Sequence, residues 1–395
     1  MSSSAVDQRV ARTPAWLVWF LATACGLIVA NIYYVQPLTG PISAALGLSP
    51  QAAGLLVTMT QIGYGGGLLL IVPLADLMEN RRIIVTLIAV SAVALFGAAL
   101  ATSAPMFLIA AACIGLSSVA VQVLVPFSAH VSTEAERGRV VGTVTGGLMF
   151  GIMLSRPASS FLAHAFSWHA VFALSSGLMV CLAIVVRLAL PRHQPASQAS
   201  YGALLTSLFG LAFRTRALQR RAIYQFCLFG AFSLFWTTTP LLLADVYHLT
   251  QEGIALFALA GVAGAISAPI AGRVADRGWS RPATCAGMLC VVAAFLLSRV
   301  GTPGSNVSLA FLVAAAILLD FGTTANLVLG QRTIFSLGAA YRGRLNGLYL
   351  AALFAGGAIG SALGGWSYAH GGWVLASWIG LALPIMALAY YATEF

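Results

Sequence analysis

The sequence predicts an all-α membrane protein with twelve transmembrane helices arranged as two pseudo-symmetric six-helix bundles. Three observations carry this prediction. Hydrophobic residues make up 60% of the 395 and charged residues 8%, whereas roughly a quarter of a soluble domain is charged. Apolar runs of the length a bilayer core demands, about 20 residues each, follow one another along the chain. Short motifs also recur at corresponding loops of the two halves.

The first six spans read as 15–37, 51–75, 82–102, 105–130, 138–164 and 168–190, here helices 1 to 6. Helices 7 to 12 read as 220–245, 252–275, 282–300, 306–331, 343–368 and 372–393. The segment before Ala15 is short and polar, and the run that follows is longer than a signal-peptide core, so helix 1 reads as retained. The break between the halves opens at Pro191 with prolines and polar residues and continues from Tyr201 with Leu, Phe and then arginines, as a linker carrying an interfacial helix does. The expected units are 1–190, a linker at 191–219, and 220–395.

All 20 basic residues are Arg and the net charge is +10. With the N-terminus in the cytoplasm, 18 of the 20, from Arg9 and Arg12 to Arg342 and Arg344, fall on the cytoplasmic side. The exceptions are Arg299, at the outer end of helix 9, and Arg156, inside helix 5. This is an orientation signal and not a nucleic-acid surface. It points to a bacterial inner membrane with both termini cytoplasmic. The six cysteines lie in apolar runs without ligand spacing, so neither a metal nor a cofactor is expected. A Walker loop needs a Lys that the chain lacks, and an intramembrane protease needs a second deep Asp or a metal motif, so the chain does not read as an enzyme.

Arg137-Gly138-Arg139 with Gly142 and Trp168 returns as Arg342-Gly343-Arg344 with Gly347 and Trp373, each pair offset by 205 residues. Ala75-Asp76 returns as Ala275-Asp276, offset by 200. A parallel repeat of six helices is an architecture of alternating-access carriers.

Leu74-Ala75-Asp76 with Arg81-Arg82 after helix 2, and Gly272-Arg273-Val274-Ala275-Asp276-Arg277-Gly278 after helix 8, resemble the loop motif of the major facilitator superfamily. The likeness covers the whole chain and is closest to the drug/proton antiporter and sugar-efflux branch. The first copy departs from the family pattern at Val72, Leu77 and Glu79. In helix 5, Gly147 and Gly151 keep the antiporter glycine spacing, but Arg156 stands before Pro157 where the pattern has Gly. The resemblance implies a secondary active transporter, with proton-coupled efflux of small organic molecules as the leading reading. An uncoupled facilitator, a proton symporter and a non-transporting sensor remain as alternatives. The expected partners are a small-molecule substrate, protons and the lipid bilayer, with the chain acting as a monomer.

Asp320, deep in helix 10 among apolar residues, is the candidate proton-coupling group: an intramembrane acid is costly and marks function by default. It can take a proton from one side and release it to the other as its hydration changes. A structural ion pair is the alternative. Arg156 has three open readings: a partner for Asp320, an anchor for an anionic substrate, or a side chain snorkelling to the surface.

Candidate substrate-binding residues are Asn31, Tyr34, Gln61, Gln122, Trp236 and Asn326; Asn31 and Tyr34, three apart, share a face. Because the family lines its cavity with helices 1, 4, 7 and 10, the resemblance favours Asn31, Gln122, Trp236, Asp320 and Asn326. Interhelical hydrogen bonding is the competing account. A cytoplasmic gate is expected at Asp76, Arg81, Asp276, Arg277, Arg137 and Arg342. The resemblance implies that Asp76 meets the start of helix 11, and Asp276 the start of helix 5, where helix dipoles and arginines stabilise a carboxylate; an ordinary surface ion pair is the alternative. Small residues spaced by four, such as Gly147, Gly151 and Ser155 or Gly356, Gly360 and Gly364, suit either static packing or a sliding seam between halves.

Overall fold

The computed structural model describes residues 14–394 apart from 135, 193, 196–199 and 339–340, without the side chains of 263 and 265. Arg9 and Arg12 therefore lie outside the described residues. The spans are helix 1 (Ala15–Ala30), helix 2 (Leu55–Leu70), helix 3 (Asn80–Ala99), helix 4 (Ala104–Ser118 and Ala120–His130), helix 5 (Arg137–Ala165) and helix 6 (Trp168–Ala189). After a connecting helix, Tyr201–Arg214, come helix 7 (Arg216–Asp245), helix 8 (Gln251–Ala258 and Gly264–Asp276), helix 9 (Ser280–Leu297) and helix 10 (Asn306–Phe335). Arg342–Ala392 runs as one stretch broken at Gly371 and Gly372, which separates helix 11 from helix 12. Gly372 takes φ 57°, open to glycine at little cost.

Large apolar side chains face outward along the spans, among them Val93, Ile109 and Leu188, which is 80% exposed. In water such a surface would aggregate; in lipid it is solvated. Polar N-caps start several helices: Ser167, Ser200, Thr250 and Ser305 accept from backbone amides of the first turns.

Three spans are less regular than their apolar runs suggest. Helix 1 loses α geometry after Ala30 and passes through a tight turn at Gln36–Leu38 into a short helix, Thr39–Ala45. Pro37, which has no amide hydrogen, sits at the start of that turn. Helix 4 breaks at Val119, after Ser117 and Ser118 turn their hydroxyls back onto the carbonyls of Cys113 and Ile114. Helix 8 tightens to a 3₁₀ segment at Leu259–Ala263.

The small-residue ladders pack inside the bundles. Gly151 of helix 5 meets the Gly26 backbone of helix 1, and Gly360 of helix 11 meets the Gly230 backbone of helix 7. Gly63 of helix 2 packs on Ala112 of helix 4, as Gly264 of helix 8 packs on Asp320 of helix 10. Both pairings recur six helices later, so the sequence repeat is a repeat of packing. For these ladders the static account holds: they set the depth at which two cavity-side helices stand within each bundle.

Candidate functional site

Arg156 and Asp320 meet in the interior, where Nη1 lies 3.9 Å from Oδ2. They are 2% and 4% exposed, so Arg156 does not snorkel to the surface. Trp236 Nε1 donates to Asp320 Oδ1 at 2.8 Å, and Arg156 Nε donates to Gln36 Oε1 at 2.7 Å. The guanidinium carbon stands 4.4 Å from the Trp236 ring, 5.0 Å from Phe232 and 5.3 Å from Tyr33. Arg156 Nη2 is buried without a hydrogen-bond partner.

Two unit charges at this separation attract by about 4 kcal/mol at an effective dielectric near 20. Desolvation of both opposes that gain. Arg–carboxylate pairs frequently close into a bidentate fork, and this one does not. Asp320 divides its oxygens between Trp236 and Arg156, while the guanidinium spends Nε on an uncharged amide. Gly261, in the 3₁₀ segment of helix 8, covers the pair: a Cβ there would stand 2.7 Å from Asp320 Oδ2 and 3.3 Å from Arg156 Nη1.

The other expected binding residues are dispersed. Asn31 Oδ1 accepts from Ser175 Oγ at 2.6 Å, and Tyr34 lies beside the same serine, so their shared face is turned to helix 6. Gln61 Nε2 donates to Ser233 Oγ at 2.5 Å and joins helix 2 to helix 7. Gln122 donates to the Tyr64 hydroxyl at 2.9 Å. Asn326 Nδ2 points to helix 9 and to its own helix, reaching the carbonyls of Thr284 and Gly322 at 3.3 Å each.

At the arginine-rich end, Asp76 lies in the field of Arg344, at the start of helix 11. Asp276 bonds Arg332 of helix 10 and not the start of helix 5. Arg137 is exposed, and nothing stands within 4 Å of a Cβ built at Gly138 or Gly142, so that end of helix 5 is open. Arg81 donates to the carbonyls of Arg187 and Leu190 at the end of helix 6 and pairs with Glu79. Arg342 donates to Phe335 O at 3.3 Å, and Arg277 donates its backbone amide to Arg273 O at 3.3 Å.

At the opposite end the halves are tied together. Thr58 bonds Ser361 Oγ at 2.8 Å and Ala358 O at 3.1 Å, and Ser160 donates to Gln251 O at 2.8 Å. His164 and Glu252 stand 3.8 Å apart on the same rim.

Tyr33, Phe232 and Gly261 were not among the sequence candidates. Phe232 lies four residues before Trp236 on a regular helix, a spacing that puts both on one face. Tyr33 and Gly261 sit where helices 1 and 8 leave α geometry, so no helical phase reveals them.

Two six-helix bundles closing around a buried ion pair, within an apolar outer surface, define a multi-pass membrane transporter. The chain belongs to the Major Facilitator Superfamily, whose sequence pattern matches residues 18–311. It is 35% identical over 377 residues to the uncharacterized transporter YgaY of Escherichia coli O157:H7, covering 95% of this chain and 94% of that one. It is 32% identical over 359 residues to the protein named "Probable transporter SCO4007" of Streptomyces coelicolor, covering 89% of this chain and 81% of that one. The crystal structure of the nucleoside transporter NupG superposes with a TM-score of 0.75 at 14% identity, covering 95% of this chain and 99% of that one.

Proposed function

We propose that the protein is a proton-coupled secondary transporter of small organic molecules, working by alternating access. The observation that carries this reading is the buried Asp320, whose one charged neighbour among the described residues, Arg156, belongs to the other bundle. Protonating Asp320 removes the attraction that draws the bundles together at mid-depth, so proton loading and conformational change act on one contact. Asp76 with Arg344 serves as the gate on the arginine-rich side. That side is cytoplasmic in a bacterial inner membrane, with both termini there. The protein works as a monomer, and the efflux-branch resemblance gives export as the direction. Symport is a second reading, supported by the unpartnered Nη2 donor of Arg156, which leaves a place for an anionic solute beside a protonated Asp320.

Proteoliposomes loaded with a pH dye test the proposal. Substrate-dependent proton movement is expected in the wild type and lost in Asp320→Asn; transport surviving unchanged in the variant would remove Asp320 from the coupling.

Thr58→Val is expected to loosen the tie at the opposite end. One hydrogen bond is worth about 1 kcal/mol, or roughly a fivefold shift toward the form open there. Spin labels at positions 166 and 250 in a cysteine-free background read that shift as a larger long-distance population. An unchanged distance distribution would show that Thr58 does not help hold this end closed.

A further inference from the structure

Resting on the symport form of the proton-coupled reading, we propose that the cargo is an organic monoanion with an aromatic or otherwise apolar body, held at its carboxylate-like head by Arg156 and loaded with a proton on Asp320. Arg156 is 2% exposed, and Nη2 has no acceptor while Nε is held by Gln36. A guanidinium fork matches a planar anion through two parallel N–H groups, and here part of the fork is unused.

Charge balance selects the sign. The groups facing the pair are Tyr33 and Gln36 from helix 1, Phe232 and Trp236 from helix 7, and the Gly261 and Gly264 backbones from helix 8. None of them is charged, so the cluster is neutral when Asp320 is ionised. A cationic solute would leave one uncompensated positive charge in the interior, and so would a neutral solute carried with a proton. An anion carried with a proton is the coupled load that keeps the site neutral, and burying an unpaired charge is what such sites avoid.

The body of the solute follows from the walls. From Arg156 the aromatic surface continues through Phe232 to Phe229 at 5.1 Å, Phe354 at 5.4 Å and Tyr64 at 4.3 Å between ring centroids. These buried rings cross helices 7, 11 and 2 and pack on one another here, so parting the bundles would free stacking faces for a flat or apolar solute.

Calorimetric titration of the purified full chain with benzoate and 3-phenylpropionate, beside benzamide and benzylammonium, at pH 5.5 and 7.5 tests this. An anion is expected to bind, and to bind about tenfold tighter or more at the lower pH because it binds with a proton. Asp320→Asn should bind it equally at both pH values. Arg156→Lys should weaken it by about tenfold, keeping the charge without the fork, and Arg156→Gln should abolish it. Binding of benzylammonium or benzamide in place of the anions, silence of both anions, or wild-type anion binding in both Arg156 variants would overturn the proposal. Anion binding without proton movement in liposomes would keep this site and remove the coupling. Proton movement driven by a cation or a neutral solute would keep the coupling and remove this site.

Discussion

Arg156→Gln is expected to lose much of its folded stability, and adding Asp320→Asn to it should restore most of the loss. The single change leaves a carboxylate that is 4% exposed with Trp236 as its hydrogen-bond donor and no cation beside it. Removing one partner of a buried ion pair costs about 3–5 kcal/mol, whereas replacing both with neutral groups is often close to neutral. Thermal unfolding of the purified variants, followed by size-exclusion chromatography, should show the double variant melting well above Arg156→Gln. Transport should be absent from both, since neither retains both charges. A double variant no more stable than Arg156→Gln would mean that the two side chains are not energetically coupled, and the proposed role of the pair would fall with that coupling.

Gly151→Val is expected to destroy the packing of helix 5 on helix 1. A Cβ at Gly151 would land on the Gly26 backbone, which cannot rotate away as a flexible side chain can. Overpacking of this kind costs about 1–3 kcal/mol or more. Here it also moves Arg156, five residues along the same helix, away from Gln36. Gly146→Ala is the matched control, because nothing lies within 4 Å of a Cβ at that position. Monodisperse yield after detergent extraction should collapse for Gly151→Val and stay at the wild-type level for Gly146→Ala. Equal yields would show that the helix 1 and helix 5 contact tolerates widening.

The spans were legible because lipid imposes a length and a polarity that the chain cannot evade. The charged and indole side chains at mid-depth on helices 5, 7 and 10 were legible too. Asp320 and Trp236, picked from depth and residue type, share a hydrogen bond, and Arg156 stands beside them. What could not be read was which face of a helix meets which neighbour. Asn326 and Asn31 have the polarity and depth of binding residues, yet their side chains bond toward helix 9 and helix 6. Nor does a motif position fix its partner across the seam between halves: Asp276 reaches Arg332 on its own side, while helix 5 stands open. The breaks in helices 1, 4 and 8 depend on prolines, serine back-bonding and glycine, which hydropathy averages away.

Pro157 and Pro240 lie inside helices 5 and 7. Lacking an amide hydrogen, Pro157 cannot bond the Met153 carbonyl, and Pro240 cannot bond the carbonyl of Trp236. Each helix is thus missing one strut of its backbone ladder within a turn of Arg156 or Trp236. A beam with one strut removed has its lowest flexural stiffness at that point. Bending in these two helices is therefore concentrated at the level of the ion pair, one from each bundle, and their ends can tilt while the glycine contacts toward the arginine-rich side stay seated.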